Sequence, residues 1–150
     1  MIHCKRTNSA DPDFIKLVAE LDADLCIRDG AEHSFYAQFN KIDGIQYALV
    51  AYDGDVPVGC GAIKECSTDS MEVKRMYVLP SERGKGIASV MLHELEQWAI
   101  DLNHHKCLLE TGMQQPEAIA LYKKNGYCVI PNFGQYENIE NSVCFEKLLQ

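Results

Sequence analysis

The chain has 150 residues, a formal charge of −8 from 14 Lys and Arg against 22 Asp and Glu, and a hydrophobic content of 47%. This length suits one domain, residues 1–150, with a core of its own, and the acidic balance argues against a nucleic-acid surface while mildly favouring cationic small partners. No apolar run reaches the ~18 residues that span a bilayer, and the polar opening "MIHCKRTNSADPDF" is unlike a signal peptide. No membrane partner is expected.

The first strand is "IHCKRT". A helix follows in "DPDFIKLVAELDADL", with Asp11 as N-cap, Pro12 in the first turn and Phe14, Leu17, Val18, Leu21 and Leu25 at helical spacing. "AEHSFYAQF" reads as a second short helix. From Gln46 the period becomes two: "QYALVAYDGDVPVGCGAIKE" is a hairpin turning at Asp53-Gly54, and "SMEVKRMYVLP" adds a third antiparallel strand. Then "IASVMLHELEQWAIDL" repeats Ile87, Val90, Met91, Leu95, Trp98 and Leu102 along one helical face, and "KCLLET" returns as a strand, which makes a βαβ unit. "QPEAIALYKKNGY" is a helix with Ala118, Ile119, Leu121 and Tyr122 inward and Asn125-Gly126 as its stop. "YCVI" and "SVCFEKL" close the sheet around the loop "PNFGQYENIEN".

The order is therefore β-α-α-β-β-β-α-β-α-β-β, an α/β fold with a mixed, mostly antiparallel sheet of about seven strands and helices on both faces. The seven cysteines stand singly with no C-x-x-C pair. They read as reduced thiols buried as small hydrophobes, which points to the cytoplasm. The five histidines have no partners at ligand spacing, so no metal is expected.

The one glycine-rich strand-to-helix turn is "VLPSERGKGIA", Val78 to Ala88. Such a turn aims unpaired N–H groups and the positive end of a helix dipole at an anion. A P-loop needs Lys and Ser or Thr after its second glycine, and Ile87-Ala88 stand there instead. A dinucleotide fingerprint fits Gly84-x-Gly86 and an acid at Glu110, yet Ser89 occupies the third glycine position and Pro80 to Arg83 separate strand from turn. A third ligand shape is coenzyme A, whose pyrophosphate suits the turn while its amide-bearing pantetheine arm pairs with a strand edge.

Two blocks in order, "VKRMYVLPSERGKGIASVMLHELEQWA" and "LETGMQQPEAIALYKKNGY", resemble the GNAT superfamily of acyl-CoA-dependent N-acyltransferases, and the strand order resembles its fold across nearly all of the chain. The resemblance rests on R-G-x-G-[IL]-[AG] followed about thirty residues later by A-[IL]-x-L-Y-x-[KR]-x-G-[FY]. It implies that the backbone amides of Arg83, Gly84, Lys85, Gly86, Ile87 and Ala88 bind the pyrophosphate of acetyl-CoA. It also implies that the main chain of Met76 and Val78 pairs with the pantetheine, that Met76 N–H faces the thioester oxygen, and that Tyr122 protonates the leaving thiolate. Ser81 and Gln115 replace residues common in the family, Gln or Arg at the first position and Asn at the second, where a contact to the cofactor arm is expected.

Acyl transfer to an amine also needs a base, because an amine with a pKa near 10 must first lose a proton. Glu72, four residues before Met76, is one candidate, sharing its face if the strand keeps period two and losing it to a bulge; a solvated carboxylate paired with Lys74 or Arg75 is the alternative. Glu110 is the second candidate, as a base or as a binder of a cationic acceptor. The expectation is an N-acetyltransferase that transfers acetyl from acetyl-CoA to a primary amine of a small molecule or peptide by direct attack, none of the cysteines standing where relatives place a nucleophile. A coenzyme-A-binding sensor without turnover is the alternative from another class. Homodimers are common among relatives. Polyamines, amino acids, aminoglycoside-like amines and peptide amines all remain open as acceptors, with the acidic balance leaning towards a cationic small molecule.

Overall fold

The computed structural model describes residues 1–29 and 45–149. The short helix expected in "AEHSFYAQF" lies outside the described residues. In chain order the elements are β1 (Ile2–Thr7), α1 (Pro12–Asp29), β2 (Tyr47–Asp53), β3 (Val56–Glu65), β4 (Ser70–Val78), α2 (Ile87–Asp101), β5 (Lys106–Gly112), α3 (Pro116–Lys124), β6 (Cys128–Ile130) and β7 (Ser142–Leu148). The seven strands described form one sheet in the order β1-β2-β3-β4-β5-β7-β6. Only β4 and β5 run parallel, joined by the crossover helix α2. That geometry requires such a connection.

Asp11 caps α1 as its position before Pro12 suggests, its Oδ1 accepting the N–H of Asp13 at 2.9 Å and of Phe14 at 3.3 Å. The helix then runs to Asp29, a turn beyond the expected Leu25. Its buried stripe, Phe14, Leu17, Val18, Leu21 and Leu25, packs on the sheet face of Ala48, Val50, Cys60, Ala62 and Tyr77. The opposite face, with Leu49, Ile63, Met71 and Val73, is covered by α2 and α3 through Met91, Leu95 and Tyr122. Helices therefore lie on both faces. Phe14 is wholly buried, so Phe14→Ala should cost about 3–5 kcal/mol of stability in a denaturant titration, and a loss within experimental error would contradict this packing.

Three details differ from the expectation. The hairpin turns on Gly54-Asp55, because Asp53 pairs with Val56 across it, and Gly54 at φ +62° supplies the backbone that the first loop position needs. On α2, Val90 is exposed whereas Leu92 and Glu96 are buried. Glu96 tolerates burial because the Tyr127 hydroxyl and Lys147 Nζ each donate to it at 2.9 Å. Third, only Cys60, Cys107 and Cys144 are buried; Cys4 is half-buried and Cys26, Cys66 and Cys128 are exposed, all seven as free thiols. On α3, Tyr122 is buried while Ala118, Ile119 and Leu121 are partly so. Asn125 and Gly126 end that helix as expected, with Gly126 at φ +91° and Tyr127 N–H returning to Tyr122 O. None of the described helices is long and apolar enough to cross a membrane.

Candidate active site

The sheet opens at its centre. Strands β4 and β5 pair only from Ser70 with Lys106 to Val73 with Leu109, after which β4 continues to Val78 while β5 keeps its other neighbour, β7, as far as Gly112. Where they part, the edge of β4 loses its ladder partner and a cleft begins. A bulge sits at this point. Cys60 pairs with Tyr77 and Ala62 with Lys74, so Gly61 alone opposes both Arg75 and Met76, and Arg75 takes φ +60°, a conformation uncommon outside glycine.

The bulge decides the fate of Glu72. Before it, Met71 and Val73 face α2; after it, Met76 and Val78 do, and Tyr77 faces α1. Glu72 and Met76 therefore project to opposite faces of the strand, and the shared face expected from unbroken period two does not occur. Both nevertheless border the space where β4 and β5 separate. The Arg75 guanidinium is held by Asp22 of α1, and the Arg75 carbonyl accepts from Cys60 Sγ at 3.4 Å. Sequence periodicity gave no sign of this latch, since a positive φ is signalled by glycine and the residue here is arginine.

At the far end of β4 the chain enters a short 3₁₀ turn, Pro80–Glu82, and then the glycine turn. Gly84 and Gly86 both stand at φ +81°, and Gly86 caps α2, its carbonyl accepting the N–H of Val90 at 3.1 Å. A Cβ at either glycine would meet no protein atom within 4 Å. The first N–H groups of α2 have no partner within the helix, which leaves a concave row of donors at the positive end of its dipole. Arg83 is the exception within the expected set. Its N–H closes the 3₁₀ turn on Pro80 O at 3.4 Å, and its Nε donates to Val78 O at 3.0 Å while the guanidinium lies 5.5 Å from the centre of the Tyr77 ring.

Two clefts meet beneath this turn. The larger, about 370 Å³, runs from Glu82, Arg83, Gly84 and Gly86 past Met76 and Val78 to Gln115 and Tyr122, with Ile87 and Ala88 in its wall. Lys85 does not line it, its Nζ pairing with Glu82 at 3.1 Å instead. Asp24 of α1 and Lys124 of α3 also border it, and sequence reasoning did not single them out. The smaller cleft, about 110 Å³, holds Glu72, Lys74, Arg75, Glu110 and Tyr136. Met76, Gln115, Ala118 and Tyr122 line both clefts.

Within the smaller cleft Glu72 Oε2 accepts the Tyr136 hydroxyl at 3.0 Å and lies 3.5 Å from Lys74 Nζ. Glu110 Oε2 accepts the Ser142 hydroxyl at 2.6 Å. Because Glu72 is opposite Leu108 on β5, Glu110 stands one side-chain step further along the same face. Tyr136, from the loop before β7, was missed as a site residue: it is 64 positions from Glu72 and sits in a polar stretch with no periodic signal. Burial, seconded by the Glu110 charge, raises the Tyr122 pKa above its ordinary value of 10.0, so the phenol keeps its proton. Tyr127 and Tyr136 are raised for the same first reason.

The sign of that shift has a measurable result. A raised folded-state pKa contributes stability that is fully present below the unfolded value and is lost as pH climbs above it. Thermal stability should therefore fall above pH 10, the ordinary tyrosine value. A melting temperature that stays level from pH 9 to 11 would contradict the burial of these phenols.

Among the described residues no three His, Cys, Asp or Glu side chains gather into a metal-binding group. The described fold agrees with comparisons of the whole chain. The model of the Acetyltransferase (GNAT) family matches residues 15–127. The IAA acetyltransferase of Azospirillum brasilense is 35% identical over 138 residues, covering 90% of each chain. A Klebsiella pneumoniae structure assigned to the acyl-CoA N-acyltransferases superposes with a TM-score of 0.84 at 32% identity, over 100% of this chain and 99% of that one. A GNAT family acetyltransferase of Elizabethkingia anophelis, solved with acetyl-CoA bound, shares the fold at a TM-score of 0.71 and 14% identity, over 99% and 98% of the two chains. The chain belongs to the GNAT acetyltransferase family.

Proposed function

We propose that this protein transfers an acetyl group from acetyl-CoA to a primary amine by direct attack, within one ternary complex. The observation that carries the reading is the junction of the two clefts at Met76, Gln115, Ala118 and Tyr122. One cleft ends at a helix N-terminus suited to a diphosphate, and the other holds two carboxylates suited to an amine. The acetyl-CoA bound in the Elizabethkingia structure supports acetyl-CoA as the co-substrate.

In this reading the amides of Gly84, Lys85, Gly86, Ile87 and Ala88 hold the pyrophosphate, where open space at both glycines lets the ligand approach the backbone. The pantetheine follows the unpaired edge of β4 at Met76 and Val78, and the Met76 N–H, placed by the bulge, donates to the thioester oxygen as negative charge develops there. Glu72 or Glu110, directly or through water, removes the proton of the amine. The amine nitrogen bonds to the carbonyl carbon, the carbon–sulfur bond breaks, and the thiolate takes the proton of Tyr122. No enzyme-bound acyl intermediate is formed. A small or peptide amine is the acceptor, and the protein acts in the cytoplasm.

The test is thiol release from acetyl-CoA over a panel of amines. Release that depends on both substrates, with a kinetic pattern of converging lines, supports direct attack; parallel lines would favour a covalent intermediate. Tight acetyl-CoA binding with no release on any amine would favour a sensor.

A further inference from the structure

The charge of the smaller cleft differs from that of the chain. The protein carries a formal charge of −8, yet among the described residues this cleft sets two cations, Lys74 and Arg75, beside the two carboxylates of Glu72 and Glu110. We propose that the acceptor is an amino carboxylate, whose amine lies at Glu72 and Glu110 and whose carboxylate is bound by Lys74 Nζ with Arg75 behind it. This inference rests on the acetyltransferase reading and adds the class of acceptor.

Among the described residues the two cations hold unspent donors. The Lys74 side chain is 8% exposed, and its ion pair among the described residues is to Glu72 at 3.5 Å, longer than a charge-assisted hydrogen bond prefers. The same Glu72 oxygen already accepts the Tyr136 hydroxyl. An ammonium has three donors, and the ion pair of Lys74 among the described residues uses at most one of them, which leaves Nζ able to take a further acceptor. Arg75 is 1% exposed, and one Nη is held by Asp22 while its Nε is buried with no hydrogen-bond partner among the described residues. An anion entering the cleft would accept from these donors.

A polyamine meets the reverse problem. Its second ammonium would approach Lys74 and Arg75, where like charge opposes it. Leu21 and Leu25 of α1 form an apolar wall on one side of the cleft. An aliphatic or aromatic side chain finds its surroundings there. The overall acidity of the chain, which leans towards a cationic acceptor, is thus a poor guide to the local site.

The experiment compares amino acids with the amines left when their carboxylate is removed: leucine with 3-methylbutylamine, phenylalanine with 2-phenylethylamine, lysine with 1,5-diaminopentane. At saturating acetyl-CoA the amino acid is expected to exceed its amine in kcat/KM by about 100-fold in each pair that turns over. Lys74→Met should bring that ratio close to one, and Lys74→Arg should keep most of it. Amines used as well as or better than the amino acids by the wild-type protein would overturn the acceptor class and leave the acetyltransferase reading standing. Absence of turnover on every compound, with acetyl-CoA bound, would overturn both.

Discussion

Gly86→Val is expected to lower acetyl-CoA affinity on the order of 100-fold in a protein that still folds. Gly86 is at once the N-cap of α2, a residue at φ +81° and part of the wall of the larger cleft. A β-branched side chain is strained at that φ, at a cost of about 1–3 kcal/mol, which a well-packed domain withstands. Because a Cβ there meets no protein atom within 4 Å, the new side chain starts from open space, on the side where the diphosphate is expected. The backbone shift needed to relax the strain would also turn the first N–H groups of α2 away from the anion. Calorimetric titration with acetyl-CoA, beside a melting curve, reads both effects. Undiminished affinity would remove the glycine turn from the binding site.

Tyr122→Phe should lower kcat by about 100-fold with little change in acetyl-CoA affinity, the scale expected for losing a positioned acid. The phenol lies on α3 at the junction of the two clefts and keeps its proton through burial. Its ring packs near Tyr127, centroids 5.8 Å apart, and near Phe145 at 5.9 Å, and a phenylalanine preserves those contacts. The variant therefore separates chemistry from packing. A kcat unchanged at saturating substrates would make Tyr122 a core residue, and the thiolate would then leave unassisted or take its proton from water.

Much of the fold was legible because the segments that bury one face repeat at clear periods. The stripe from Phe14 to Leu25 and the two apolar runs of β2 and β3 on either side of a glycine turn needed no tertiary information to be read. The glycine turn was legible for a different reason: two positive-φ positions before a helix are written in the sequence as glycines. What stayed hidden depends on partners distant in the chain. Glu96 looks like a surface residue until Tyr127 and Lys147 meet it. Tyr136 acquires a place in the site only when its loop folds back on Glu72. The bulge at Arg75 is the clearest case, because it sets which face Met76 occupies and no local residue announces it. Likewise Arg83 was read for its amide, and the structure engages that amide with Pro80 and spends the side chain on the Val78 carbonyl.

Binding of acetyl-CoA in the larger cleft, through the turn at Gly84 and Gly86, underlies the proposed reaction. Its most direct test is a pair of calorimetric titrations of the purified protein, one with acetyl-CoA and one with NAD, which shares a pyrophosphate but lacks the pantetheine arm. Binding of acetyl-CoA in the micromolar range with none of NAD is the result expected from a turn that holds the diphosphate and a β4 edge that holds the arm. Equal binding of both, or binding of NAD alone, would contradict the assignment and return the turn to the dinucleotide reading.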